Sequence, residues 1–107
     1  SKYSIISSHS NIGKGTSIGN GSIINASTNI GKHCIINSKA LIEHDSIIGD
    51  YCHISTGALI NGGVSIGSGC FVGSGAIIRE GVSIPCDSII SAGSRVMGWP
   101  INNKKTI

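Results

Sequence analysis

From Ile6 onward every sixth residue is aliphatic: Ile6, Ile12, Ile18 and so on without a break to Ile90 and Val96, with Val72 the other departure from isoleucine. A second stripe runs four residues behind the first. It holds small side chains, from Ser10, Thr16 and Ser22 through Cys34, Ala40 and Cys52 to Ser88 and Ser94. An α-helix repeats about every 3.6 residues and a half-buried strand every second one, so strict sixfold spacing fits neither. A triangular coil of three short strands and three corners does fit, because each side then takes six residues and one full turn takes about eighteen.

The chain is therefore expected to be all-β, a single-stranded left-handed parallel β-helix of hexapeptide repeats, about five triangular coils high. Isoleucine suits such a ladder because its branched β-carbon packs on a pleated surface. Directly after the aliphatic residue comes glycine at Gly13, Gly19, Gly31, Gly49, Gly67 and Gly73, or asparagine at Asn25, Asn37 and Asn61. Both residues tolerate positive φ, so the corner is expected to turn there. The 107 residues make one domain, residues 1–107, with one core. With four aromatic residues among them, that core has to be built from aliphatic side chains.

Eight Lys and Arg against five Asp and Glu give a net charge of +3, spread along the chain with Lys104 and Lys105 the adjacent basic pair. That distribution argues against a nucleic-acid footprint. No apolar run approaches the ~20 residues of a membrane span, and the chain reads as soluble and cytoplasmic. Short coils bury little each, which predicts association into a trimer. Cys34, Cys52 and Cys70 lie eighteen apart in the small stripe and should stack inside as buried thiols; Cys86 lies outside that ladder. No Cys-x-x-Cys pair points to zinc.

The generic repeat is interrupted by chemistry in one stretch. Residues 37–63 read NSKALIEHDSIIGDYCHISTGALINGG, with Glu43, His44 and Asp45 at a corner after Ile42 and His53 half a coil on. This run, continued by NGGVSIGSGCFVGSG to Gly75, resembles the bacterial hexapeptide-repeat sugar acyltransferases of the sialic acid O-acetyltransferase and UDP-4-amino-sugar N-acetyltransferase group. Gly98-Trp99-Pro100 is similar to the closing loop of that family.

The resemblance implies an acetyl-coenzyme A-dependent acetyltransferase acting on an amino group of a UDP-linked sugar, or alternatively on a sugar hydroxyl such as that of sialic acid. By it, His44 is the general base, Asp45 its supporting carboxylate with Glu43 or a neighbouring subunit's carboxylate as the substitute, and the N–H of Gly62 the oxyanion donor. His53 lies along acetyl-coenzyme A at its acetyl end, Ser74 and Ala92 touch the pantetheine through their backbones, and Asn37 lies near the acceptor. It also implies an N-terminal nucleotide-sugar-binding domain, absent from residues 1–107, in keeping with a repeat already under way at the first residues. Histidine suits the role because its ordinary pKa of ~6.5 leaves it neutral and basic near pH 7.

Rival readings come from the fold alone, since fold does not fix function. A zinc enzyme of the γ-carbonic anhydrase type needs three histidines at short spacings, which His44 and His53 do not supply, so no metal is expected. An ice-binding face needs threonine ladders, and Thr16, Thr28 and Thr56 are not eighteen apart. A non-catalytic trimerisation module is the remaining alternative. His9 and His33 read as solvated corners, and so do Arg79 and Arg95, for which cofactor phosphates are the other reading.

Overall fold

The computed structural model describes residues 3–98. It forms the expected left-handed parallel β-helix, an elongated body of 40 × 22 × 21 Å. Two-residue strands recur every six residues from Ile5–Ile6 to Arg95–Val96, and every third strand joins the same sheet. The first face stacks Ile5–Ile6, Ile23–Ile24, Leu41–Ile42, Leu59–Ile60, Ile77–Ile78 and Arg95–Val96. The second runs from Asn11–Ile12 to Ser83–Ile84, the third from Ser17–Ile18 to Ile89–Ile90. Pairing is parallel and in register at eighteen residues, as in Leu41 with Leu59 and Ile35 with His53. Identical positions of successive coils therefore lie directly above one another. No helix among the described residues is long and apolar enough to cross a membrane.

The second residue of each strand points inward. Ile36, Ile42, Ile54, Ile60 and Ile78 are all buried to within 1 %, and each such side chain contributes about 1.5–3 kcal/mol. The small stripe closes the inside corners, and its polar members are satisfied rather than merely small. Ser22, Thr28 and Ser46 donate to the carbonyls of Asn37, Glu43 and Asn61, each fifteen residues on. The thiols of Cys34, Cys52 and Cys70 do the same toward Gly49, Gly67 and Pro85 at 3.0–3.1 Å. The cysteine ladder is thus buried and reduced, as expected, and also hydrogen-bonded.

The expected place of the corner turn needs correcting. Positive φ falls on the third residue after the aliphatic one, not the first: Gly57, Gly63 and Gly75 take it, and so do Ser27, His33, Lys39, Asp45, Tyr51 and Asp87. The glycines directly after the aliphatic residue serve another need. A Cβ on Gly49 would lie 2.6 Å from the Ser68 amide nitrogen, and one on Gly67 would lie 2.5 Å from that of Cys86. These glycines let one coil's backbone rest on the next.

Candidate active site

The corner between the first and second faces departs from the generic repeat. Its leading ladder is Asn25, Glu43, Asn61, Arg79; its second is Ala26, His44, Gly62, Glu80; its third is Ser27, Asp45, Gly63, Gly81. In an extended strand the side chains of neighbours diverge, but a corner lets them converge. Asp45, at φ 62°, adopts the left-handed conformation that aspartate tolerates. Its Oδ2 lies 3.0 Å from Nδ1 of His44, with both side chains 65 % exposed. Glu43 is occupied elsewhere, accepting a short hydrogen bond from the Asn25 side-chain amide. Of the two carboxylates considered within the chain, the one that reaches the ring is that of Asp45.

With Nδ1–H donating to Asp45, a neutral His44 keeps its lone pair on Nε2. That end of the ring lies over Gly62, where an added Cβ would come within 2.9 Å of Cε1 and 3.0 Å of Nε2. Gly62 is thus small because the imidazole covers it. The Gly63 N–H donates to the His44 carbonyl at 3.0 Å, which ties the two rungs together, while the Gly62 N–H has no acceptor among the described residues. The pKa of His44 is raised, first by its hydrogen bond to Asp45 and then by attraction to the carboxylates of Asp45, Glu43 and Glu80.

Above the dyad opens a groove of about 420 Å³. Glu43, His44, Asn61 and Gly62 line one end, and Ile77, Arg79, Glu80, Arg95 and Met97 the rest. The Asn61 side-chain amide is fixed by donating to the Ile78 carbonyl at 2.9 Å. Asn61 was not singled out from the sequence as a site residue, and Arg79 and Arg95 were read as solvated. The signal available for Asn61 and Arg79 was the spacing of eighteen from Glu43, which carries a corner ladder through positions 61 and 79, and for Arg95 the same spacing along Leu41, Leu59 and Ile77 on the first face.

The other sequence-derived residues lie on other sides of the column. His53 stands on the outer surface of the third face between Ile35 and Phe71, its ring edge-on to Phe71 at 5.1 Å. Its Nε2 is buried without a hydrogen-bond partner. Asn37, Ser74 and Ala92 belong to the corner between the third and first faces, where the Ser74 carbonyl accepts the Gly93 N–H. One chain therefore joins His44, Asp45 and Gly62 but not His53, Asn37, Ser74 or Ala92. His33 stacks on Tyr51 at 5.4 Å on the remaining corner, and His9 accepts the Ser27 N–H through its carbonyl. Trp99 and Pro100 lie outside the described residues. Among the described residues no three His, Cys, Asp or Glu side chains group to hold a metal ion.

Comparison with known proteins agrees with this architecture. The chain is similar to PerB from Caulobacter crescentus, solved with CoA and GDP-perosamine, at 37 % identity and a TM-score of 0.88, over 89 % of this chain and 46 % of that one. The acetyltransferase domain of PglB from Neisseria gonorrhoeae matches at 25 % identity and a TM-score of 0.88, with the same coverage of 89 % and 46 %. LpxA from Bacteroides fragilis, a UDP-N-acetylglucosamine acyltransferase, shares the fold at 24 % identity and a TM-score of 0.80, over 83 % of this chain and 42 % of that one. The chain spans about half the length of these structures. No curated protein sequence matches it. The family described as bacterial transferase hexapeptide (six repeats) matches residues 27–62 and 45–80, together half the chain. With unbroken sixfold ladders and that match, the chain belongs to the bacterial transferase hexapeptide family.

Proposed function

We propose that this β-helix is the acetyl-transferring module of a nucleotide-sugar acetyltransferase that moves an acetyl group from acetyl-coenzyme A to an amino group of the sugar. The observation that carries the reading is the His44–Asp45 dyad lying over Gly62 at the floor of an open groove. The likeness to PerB, solved with CoA and GDP-perosamine, supports the donor and the class of acceptor. The sequence resemblance favours a UDP-linked 4-amino sugar within that class.

The chemistry follows from the dyad. The acceptor nitrogen attacks the thioester carbon while Nε2 of His44 takes its proton, and the Asp45 carboxylate stabilises the imidazolium that forms. The thioester oxygen becomes an oxyanion, for which the free N–H of Gly62 is the donor. Collapse breaks the carbon–sulfur bond, and the leaving thiolate of coenzyme A takes the proton back from His44. A groove floored by a single rung needs this donor already in place, and the Gly62 amide has no competing acceptor among the described residues to give up.

His53 would meet the acetyl end of the cofactor, Ser74 and Ala92 the pantetheine, and Asn37 the acceptor. Since His53 and His44 lie on different sides of one column, a cofactor touching both has to lie between two copies. The third face supports this. Ile35, Phe71 and Ile89 are 47 %, 40 % and 49 % exposed there, and they flank a buried imidazole nitrogen without a partner, a costly arrangement for a face left bare. A trimer placing the third face of one copy beside the His44 corner of the next joins both sets, and it works in the cytoplasm, where acetyl-coenzyme A is supplied.

The test is calorimetric titration of the chain with acetyl-coenzyme A, paired with a thiol-release assay on GDP-perosamine and on a UDP-4-amino sugar. Binding weakened by His53→Ala and turnover lost in His44→Ala are expected. A folded trimer that binds no acetyl-coenzyme A would leave a structural β-helix as the better account.

A further inference from the structure

The leading residue of the His44 corner changes from coil to coil: Ser7, Asn25, Glu43, Asn61, Arg79 and Met97 follow one another up this ladder, and Glu43 is its one carboxylate. The Glu43 backbone is fixed on both sides, its N–H donating to the Ile60 carbonyl at 2.8 Å and its carbonyl accepting the Thr28 hydroxyl at 3.0 Å. The side chain is left to find its own partner. His44 and Gly62 line the same groove, and among the described residues neither the Nε2 of His44 nor the Gly62 N–H is bonded to it. The carboxylate instead accepts from the Asn25 side-chain amide, one coil below on strands that pair in register. Asn61, one coil above, turns away, donating to the Ile78 carbonyl at 2.9 Å. Among the described residues Asn25 is therefore the side-chain partner of the Glu43 carboxylate.

The placement matters because of what this anion would do in the groove. A carboxylate forms strong, charge-assisted hydrogen bonds with an imidazolium N–H and with an unpaired backbone N–H. Seated there, it would hold a proton on His44 and fill the donor that an oxyanion needs. Being tethered to the neighbouring residue, it would compete at high effective concentration. An amide that satisfies it from below removes the competitor. A side-chain amide ladder is also found on a plain face, where Asn11 donates to Asn29 at 2.9 Å. At Asn25 the acceptor is a carboxylate adjacent to the base.

We infer that Asn25 is a positioning residue for the proposed reaction: by holding the Glu43 carboxylate against the coil below, it keeps that anion off the Nε2 of His44 and off the N–H of Gly62. The roles of His44 and Gly62 rest on the proposed acetyl transfer; the placement of Glu43 by Asn25 does not. The charged groups around the ring are Asp45 beside it, Glu43 before it, Glu80 two coils up its own ladder, and Arg79 and Arg95 at the upper end of the groove. Ala26 and Ser27, on the coil below, carry no charge. In the proposed trimer the third face of a second copy brings His53 to the same groove. The pKa of His44 is raised first by the Asp45 hydrogen bond, while Glu43 contributes a weaker attraction through space, as befits a carboxylate near the ring and bonded elsewhere.

The test follows His44 itself, by NMR titration of its Cε1–H, with His9, His33 and His53 as internal controls in the same spectra. Asn25→Leu removes the amide at similar size, Asn25→Ala removes it should the branched side chain disturb the ladder, and melting by circular dichroism checks the fold of each. Released from below, Glu43 should raise the His44 pKa by about 0.5 or more, while the other three histidines stay in place. With a UDP-4-amino sugar as acceptor, kcat/KM at pH 7 should fall about two- to tenfold, as less of the base is neutral and the oxyanion donor is filled. In a Glu43→Gln background the same substitution should shift nothing further, since Asn25 acts through that charge.

A His44 titration unmoved by loss of Asn25 overturns the inference. So does a shift of equal size in the Glu43→Gln background, which would make Asn25 a structural residue. A wild-type chain that transfers no acetyl group sinks the proposed reaction, whereas the titrations still decide what Asn25 does to Glu43.

Discussion

Two corners of the same triangle obey the same geometry and do different work. Between the second and third faces the leading residue is Gly13, Gly31, Gly49, Gly67 and finally Pro85, and the backbone of one coil rests on the next. Two of the amides there are capped from the coil above, the Lys32 N–H by the Asp50 carboxylate and the Asp50 N–H by the Ser68 hydroxyl, both at 2.9 Å, while those of Ser68 and Cys86 have no acceptor among the described residues. Between the first and second faces the leading residues are Asn25, Glu43, Asn61 and Arg79, and the Gly62 N–H is capped by nothing described. A solenoid spends its conformational rigidity at the first kind of corner. The second kind is where rungs are free to differ, and a site is built from the differences.

The sharpest way to break this contrast is to remove the base. His44→Ala should lower kcat by roughly 10²–10⁴-fold, the usual share of general base catalysis, while thermal melting stays near wild type because the ring is exposed. A melting temperature that falls along with the rate would make His44 a structural residue and erase the distinction between the corners.

Next in size is the opposite experiment on the scaffold corner. Gly49→Ala places a Cβ 2.6 Å from the Ser68 amide nitrogen, a backbone atom that cannot turn aside. About 1–3 kcal/mol of stability should be lost in urea denaturation, as for an overpacked core. A variant as stable as wild type would show that these coils can separate locally, and the close-approach account of the corner glycines would fail.

Gly62→Ala tests the same substitution on the functional corner, where the obstacle is the tip of a side chain. The imidazole must swing away from an added methyl, so stability should change by under about 1 kcal/mol, whereas kcat should fall about 10–10²-fold through displacement of the base. Equal losses of stability in Gly62→Ala and Gly49→Ala would show that both glycines serve only close packing.

The fold was almost wholly legible because a ladder repeats its requirement in every coil. Ile42, Ile60 and Ile78 answer one demand three times, and the small stripe, from Ser22 to Cys70, answers another. The turn position was misread for a physical reason. Glycine recurs at two places in the repeat, at Gly49 to let backbones touch and at Gly57 to permit φ 68°, and the sequence marks both with the same letter. The second place also accepts Lys39 and Tyr51, so composition hides it. Within the site, His44, Asp45 and Gly62 were legible through the motif resemblance, and the ladder explains why they meet, two being neighbours and the third one coil away. Asn61 and Arg79 are harder to read, because they reach the groove only through the corner ladder that rises from Glu43, and Arg95 only through the first-face ladder that rises through Ile77. His53 was found by its motif, yet its distance from His44 around the column could be seen only once the three faces were assigned.

The smallest expected effect is a displacement of the pH profile, and it asks which feature of the corner sets the base. The pKa of His44 is raised, chiefly by the Asp45 hydrogen bond. A base works in its neutral form, so kcat/KM should rise with pH through that elevated pKa, with an acid limb above the ordinary histidine value of ~6.5. Asp45→Asn removes the main cause of the elevation and leaves the weaker pull of Glu43 and Glu80. The imidazole then loses its proton at lower pH, and the acid limb should move down. The plateau rate should fall as well, since the imidazolium loses its carboxylate. A limb that stays in place while the plateau falls would mean that Asp45 orients the ring without tuning it, leaving Glu43 and Glu80 as the groups that set its proton affinity.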